Sequence, residues 1–104
     1  MKFYEMRIYT IKAGQLGTYV KLFEEEGFPI ISKYQKLVGY WYTDIGELNE
    51  VVHIWEYDSL DERAEKRKAL YEDPEWKKFT SKAFSLILSQ KNKIMYPSNF
   101  SPIK

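Results

Sequence analysis

The stretch LVGYWYTDIGELNEVVHIWEY, residues 37–57, holds the two strongest strand patterns of the chain. Its two ends, residues 37–45 and 50–57, are rich in aromatic and β-branched residues, which are typical of β-strands. The connection between them contains Gly, Asp and Asn, which favour tight turns. The stretch therefore predicts an antiparallel hairpin that turns at Gly46 and Glu47. The predicted cross-strand pairs are Tyr42 with Val51, Tyr40 with His53, and Val38 with Trp55.

Upstream of the hairpin, the sequence predicts one strand and one helix. Residues 3–10 show the alternation of a strand. Between residues 16 and 34, apolar side chains recur at helical spacing. Gly27 and Pro29 are expected to break or kink this helix, because glycine and proline both weaken helix interiors.

Downstream of the hairpin, two capping signals predict two helical segments. Ser59 begins a capping box, and Asp73 followed by proline fits the start of a second segment. The pattern is extended again at residues 90–96. The order strand, helix, strand, strand, helix, strand predicts an α+β, ferredoxin-like βαββαβ fold with an antiparallel sheet. A chain of 104 residues fits a single domain, and we expect one over residues 1–104.

Composition excludes several classes of function. Sixteen basic residues oppose 15 acidic ones, so net charge gives no reason to expect nucleic acid as a partner. The absence of cysteine excludes disulfides and thiolate metal sites. No long apolar run or leader pattern is present, so we expect no membrane span and a cytoplasmic protein.

Alternation along the strands sorts their side chains onto two sheet faces. One set, which we expect the helices to cover, comprises Met6, Ile8, Leu37, Gly39, Trp41, Thr43, Val52 and Ile54. The other set comprises Glu5, Arg7, Tyr9, Tyr40, Tyr42, His53, Trp55 and Tyr57. This second set is too aromatic for a solvent face and too polar for a dry core. We predict a homodimer whose paired faces enclose a small cavity, lined by Glu5, Arg7, Tyr9, Tyr40, His53, Trp55 and Tyr57.

His53 is the only histidine in the chain. It fits three roles: a structural side chain held by hydrogen bonds, a polar group in a ligand pocket, or a metal or haem ligand. A metal site needs several ligands, and the chain has neither a second histidine nor a cysteine. We therefore predict no metal site and favour the structural role.

Glu5 and Arg7 lie two residues apart on one strand, so their side chains share a face. They fit a structural ion pair, which we favour, while Arg7 also fits bidentate binding of an anionic substrate. If Glu5 is desolvated beside His53, burial raises its carboxyl pKa and fits it for a general base. Arg63 and Arg67, on the second helix, fit surface ion pairs.

Four segments together resemble the NIPSNAP family: YEMRIYTIKAG at 4–14, the hairpin and its extension at 37–63, DPEWKKF at 73–79, and MYPSNFSP at 95–102. The resemblance covers nearly the whole chain and implies a dimeric α+β barrel. It implies no particular chemistry, because small stand-alone members lack an assigned reaction. Longer animal relatives are mitochondrial, but this sequence lacks their N-terminal extension, so that location is not carried over.

The barrel superfamily implied by this resemblance includes cofactor-independent oxygenases, haem-degrading enzymes, and small-molecule decarboxylases or isomerases. Fold alone does not choose among them. We expect no cofactor and rank three functions. The first is binding of a small molecule or partner between two sheets without turnover. The second is a cofactor-free oxygenase or isomerase acting on a flat metabolite, anions included, and the third is haem binding.

Overall fold

A four-stranded antiparallel sheet forms one layer of the molecule. The computed structural model describes residues 2–104, and its strands are β1 (Phe3–Ile11), β2 (Lys36–Tyr42), β3 (Glu50–Tyr57) and β4 (Ile87–Met95). Their order in the sheet is β2-β3-β1-β4, and β1 pairs antiparallel with both β3 and β4. This topology confirms the predicted α+β, ferredoxin-like fold.

The helices form the second layer. They are α1 (Leu16–Leu22), α2 (Phe28–Ile31), α3 (Leu60–Glu72) and α4 (Pro74–Ala83). At the predicted break or kink near Gly27, the helix does not break: a π-helical segment (Phe23–Gly27) joins α1 to α2. Pro29, which has no amide hydrogen to donate, lies in the first turn of α2, where a helix tolerates it.

Both predicted helix caps are present. The Ser59 hydroxyl accepts a hydrogen bond from the Glu62 amide at 3.0 Å and so starts α3. The Asp73 carboxylate accepts from the Glu75 amide at 2.9 Å and starts α4. Asp73 also accepts from the Tyr34 hydroxyl at 2.6 Å, which ties the segment after α2 to the start of α4.

The hairpin register is as predicted near the turn and shifts further away. Tyr42 pairs with Val51 and Tyr40 with His53, but Trp55 pairs with Leu37 instead of Val38. An irregularity between Leu37 and Gly39 adds one residue to β2, which reverses the alternation beyond it. Leu37 therefore packs against the core cluster on the side of His53, contrary to the prediction.

The two sheet faces are arranged in the opposite way to the prediction. From the strands, Phe3, Tyr9, Ile11, Val51, Trp55 and Tyr57 join one buried cluster with helical residues Tyr19, Phe23, Ile31, Leu70, Trp76, Phe79 and Ala83. The helices therefore cover the face that carries Glu5, Arg7, Tyr9, His53, Trp55 and Tyr57. Apart from Leu37, alternation separated the two sets correctly, but the helices cover the more polar set, for which they bring cationic and aromatic partners.

The face expected to be the core is instead left open. Met6, Ile8, Val52 and Ile54 are only partly buried there, and the Trp41 side chain is 52% exposed. Gly39 makes room for the Trp41 ring, since a Cβ on Gly39 would lie 2.3 Å from that ring. The open face lies on the side of the sheet away from the helices and carries an apolar patch, with Lys91 and Lys93 of β4 beside Met6 and Ile8.

Gly27 allows α4 to approach the π-helical segment, because a Cβ there would lie 2.6 Å from the Phe79 ring. We predict that Gly27→Ala lowers the free energy of unfolding by about 1–3 kcal/mol, the usual cost of overpacking a core.

The control is Gly17→Ala in α1, where a Cβ meets nothing within 4 Å. That change should raise stability by about 0.5–1 kcal/mol, since alanine favours helix. Urea unfolding of both variants measures the difference, and equal effects would contradict the packing described.

Candidate functional site

A buried carboxylate organises the helix-covered side of the sheet. Glu5 lies in β1 and is 0% exposed. It accepts hydrogen bonds from Arg63 at 2.9 and 3.0 Å, from Arg7 at 2.9 Å and from Asn92 at 2.7 Å. The Ser59 cap places Arg63 in the first turn of α3, close enough to bind Glu5. The predicted Glu5–Arg7 ion pair is thus part of a larger network, and Arg63 is not the surface residue expected.

The charge state of Glu5 excludes the general-base role that the sequence analysis considered. Burial opposes its ionisation, but the hydrogen bonds from Arg63 and Asn92 and the charge of Arg7 outweigh burial and lower the carboxyl pKa to about 2. The prediction of a raised pKa was wrong, because it did not foresee two arginines at this carboxylate. A carboxylate so stabilised is a poor general base near neutral pH.

His53 is buried among aromatic rings. It is 3% exposed, stacks on Tyr40 with ring centroids 4.6 Å apart, and meets the Tyr9 ring edge-on at 4.8 Å. Its Nδ1 accepts a hydrogen bond from the Trp55 indole at 2.7 Å. Burial, together with the charge of Arg7, lowers the His53 pKa to about 3. The imidazole is therefore neutral at pH 7, and because Nδ1 is an acceptor, Nε2 carries the proton.

A small cavity of about 70 Å³ lies between the sheet and the helices. Its strand side includes Arg7, Tyr9, His53 and Trp55, and its helix side includes Leu70, Trp76, Phe79 and Ala83. More exposed residues form the mouth: Arg67 and Tyr71 of α3, Phe84 after α4, and Gln90 of β4. This cavity thus lies within a single chain, and the predicted residues that line it are covered by helices.

Three buried polar side chains on this cavity have an unused donor. His53 Nε2, Trp76 Nε1 and Gln35 Nε2 make no hydrogen bond to any group of residues 2–104. All three residues are less than 10% exposed. Buried polar groups almost always have partners, so three unused donors on one cavity are unusual. They identify the cavity as the candidate functional site.

A family model described as NIPSNAP matches residues 4–102. This chain belongs to the NIPSNAP family. The human Protein NipSnap homolog 3A is 38% identical over 96 residues, which are 90% of this chain and 38% of that protein. The chain therefore spans well under half the length of this curated relative. A NIPSNAP family protein with unknown function from Agrobacterium tumefaciens is 46% identical, with a TM-score of 0.97 over 99% of this chain and 94% of that chain.

The fold also extends beyond NIPSNAP proteins. SnoaB from Streptomyces nogalater, a cofactor-independent oxygenase, matches with a TM-score of 0.65 over 99% of this chain and 98% of that chain. Sequence identity is only 10%, so this likeness shows the fold alone. Among residues 2–104, no helix combines the length and the apolar character needed to span a lipid bilayer.

Sequence reasoning placed some of the NIPSNAP cavity residues and missed others. Of the seven predicted residues, the cavity is lined by Arg7, Tyr9, His53 and Trp55, while Glu5, Tyr40 and Tyr57 lie outside its lining. Two donors that line the cavity were not predicted: Gln35, between α2 and β2, and Trp76, in α4. For Trp76, the available sequence signal was the Asp73 cap, which places this residue in the first turn of α4.

Glu5→Gln should be strongly destabilising, because it leaves two partly buried arginines without their carboxylate. We predict a loss of about 3–5 kcal/mol at pH 7. The folded-state pKa lies below the ordinary 4.5, so this contribution is complete above pH 4.5 and is lost as pH falls through about 2. Urea unfolding between pH 7 and 2 should show a larger loss of stability in the native chain than in the variant, because the lowered pKa values of Glu56 and Asp73 make both proteins lose some stability in acid.

The matched control is Glu56→Gln. Glu56 pairs with the more exposed Lys2 at 3.0 Å and Lys36 at 3.3 Å, and such surface pairs contribute about 1 kcal/mol or less. Equal losses in the two variants would show that the Glu5 network does not hold α3 to the sheet.

Proposed function

We propose that this NIPSNAP domain binds a small molecule inside each protomer, in the cavity between the sheet and the helices. The supporting observation is the set of unused donors on His53, Trp76 and Gln35 around one cavity. A buried donor without a partner costs about 1–3 kcal/mol. A ligand that accepts hydrogen bonds from these groups would recover that cost.

The cavity limits the size of the ligand. Its volume of about 70 Å³ is smaller than the ~150 Å³ cavity that holds benzene in another protein. A fragment of a few non-hydrogen atoms fits inside, and a longer ligand would extend through the mouth beside Arg67 and Tyr71. Those two side chains are long and partly exposed, so they can move as a ligand enters.

Haem binding receives no support from this geometry. Pockets for larger ligands have volumes of about 300–1,000 Å³, and a porphyrin needs a pocket of that class. Trp55 also occupies one imidazole nitrogen of His53, and the other, Nε2, carries a proton. To bind a haem iron through Nε2, His53 would need its proton moved to Nδ1, which would break the hydrogen bond from Trp55, and the helices would have to be displaced.

A cofactor-free oxygenase or isomerase is the second candidate. Buried N–H donors in a water-poor cavity are the groups that stabilise a developing oxyanion in many enzymes. The fold shared with SnoaB is compatible with this function without indicating it. Oxygen uptake on adding a quinol, abolished in His53→Phe, would favour the enzyme over the binding protein.

We also propose that the domain, residues 1–104, forms a homodimer through the open face of its sheet. Met6, Ile8, Val52, Ile54 and Trp41 form an apolar patch on that face, and an exposed apolar patch usually marks a contact surface. In this dimer the open faces meet, and each cavity stays on the helix side of its own sheet. A cytoplasmic location remains a prediction from the sequence.

Ala83→Leu should abolish ligand binding, because Ala83 is 1% exposed and its larger replacement would fill the cavity. Saturation-transfer NMR against a library of small polar fragments measures binding to the native chain and to the variant. The control is Ala69→Leu, the same change at an exposed position of α3. We expect fragments that bind the native chain and Ala69→Leu but not Ala83→Leu. Fragments that bind all three equally, or none that bind, would contradict the proposal.

Ile54→Lys should convert the dimer to a monomer by placing a charge at the centre of the open face. Light scattering at micromolar concentration measures the mass of the native chain and the variant. Lys77→Glu, on the exposed surface of α4, is the control and should stay dimeric. A monomer mass for the native chain would refute the dimer.

A further inference from the structure

We propose that the cavity selects a small anion with carboxylate-like oxygens, bound by the N–H groups of His53, Trp76 and Gln35 and attracted by Arg67. This inference rests on the proposed binding function and adds the chemical class of the ligand. It is carried by the kinds of polar group around the cavity and by the charges beside it.

Donors dominate the polar lining. Among residues 2–104, no aspartate or glutamate lines the cavity. The Tyr9 hydroxyl oxygen already accepts a hydrogen bond from Arg7 at 2.8 Å. A ligand rich in acceptors therefore satisfies the site, whereas a ligand rich in donors finds few partners.

The fixed charges beside the cavity leave an excess of positive charge. Glu5 is the carboxylate of the network, and it is shared by the two guanidinium groups of Arg7 and Arg63. One positive charge therefore remains uncompensated within that network. Arg67 at the mouth adds another positive charge. Because these guanidinium groups are partly buried, water and salt screen their charge less than at the open surface, and they favour an anionic ligand here.

Trp55 acts as a positioning residue for this recognition. Its indole N–H holds Nδ1 of His53 as an acceptor at 2.7 Å, which keeps the proton on Nε2, and His53 lines the cavity. His53 is thereby fixed as a donor toward the ligand. A neutral imidazole with the opposite tautomer would present an acceptor and would repel a carboxylate oxygen.

Arg67 is placed to guide an anion from the solvent. Its guanidinium lies over the Tyr71 ring, 5.1 Å from the centroid, and donates a hydrogen bond to the Tyr71 hydroxyl. Both side chains are at the mouth and partly open to solvent. A guanidinium binds carboxylates in bidentate fashion, so Arg67 can pair with an anion at the mouth.

Propionate and its neutral isostere propionamide test the ligand class directly. The three tryptophans give three indole N–H signals in ¹⁵N NMR spectra, and only Trp76 offers the cavity a free N–H. At pH 7 and constant ionic strength, we expect propionate to shift the Trp76 signal saturably, with millimolar affinity, while the Trp41 signal on the open face stays fixed. Propionamide should bind at least about tenfold more weakly.

The outcomes separate this inference from the proposed function. Propionamide binding as tightly as propionate would overturn the anion class and leave small-molecule binding intact. If neutral fragments bind and propionate does not, the anion class is again overturned and small-molecule binding stays intact. If neither probe binds and no fragment from the library binds either, both proposals fail.

Two variants identify the groups that bind propionate, and a third is the control. Trp76→Phe keeps the ring but removes the donor, and Arg67→Met removes the charge, and each should weaken propionate binding by about tenfold. Lys77→Met, which removes a charge from the exposed surface of α4, should leave the affinity unchanged. An equal loss in Lys77→Met would reduce the effect to non-specific charge and overturn the site.

Gln35→Met adds a readout that a structural role would not produce. The new side chain has nearly the same shape but lacks the unused amide donor. We expect an unchanged or higher melting temperature together with about tenfold weaker propionate binding. A lower melting temperature with unchanged binding would show that Gln35 serves the fold and not the ligand.

Discussion

The buried carboxylate of Glu5 is the constraint on which this structure depends. It joins β1 to β4 through Asn92 and to α3 through Arg63, and it makes four hydrogen bonds in all. An ionised carboxylate is stable away from water only where such partners surround it. The sheet face that carries Glu5 must therefore lie under the helix that carries Arg63. That requirement decides which side of the sheet becomes the interior.

The arrangement of the interior follows from this choice. His53 and Trp55 lie on the same face as Glu5, so they are buried against α1, α3 and α4 and form the wall of an internal cavity. The apolar set that includes Val52 and Ile54 is left open on the other side. One sheet thus carries a cavity lined by polar and aromatic side chains on its helix side and, on the other side, the face through which the proposed dimer forms.

Much of the fold could be predicted from local patterns. The hairpin, the caps at Ser59 and Asp73 and the order of elements all depend on residues close together in sequence, and alternation separated the two sheet faces. Which face the helices cover could not be predicted this way, because Arg63 lies 58 residues and Asn92 87 residues from Glu5. The bulge beside Leu37 likewise depends on packing. The cavity donors Gln35 and Trp76 come from separate elements that meet only in the folded chain.

The protonation of the single histidine tests the central claim most directly, because it reports which face of the sheet is buried. Long-range ¹H–¹⁵N NMR of the imidazole distinguishes the two tautomers and follows protonation with pH. We predict one neutral form with the proton on Nε2, unchanged from pH 8 to below pH 5, in keeping with a pKa lowered to about 3. A histidine that titrates near its ordinary 6.5, or that carries its neutral proton on Nδ1, would contradict both the buried face and the bond from Trp55.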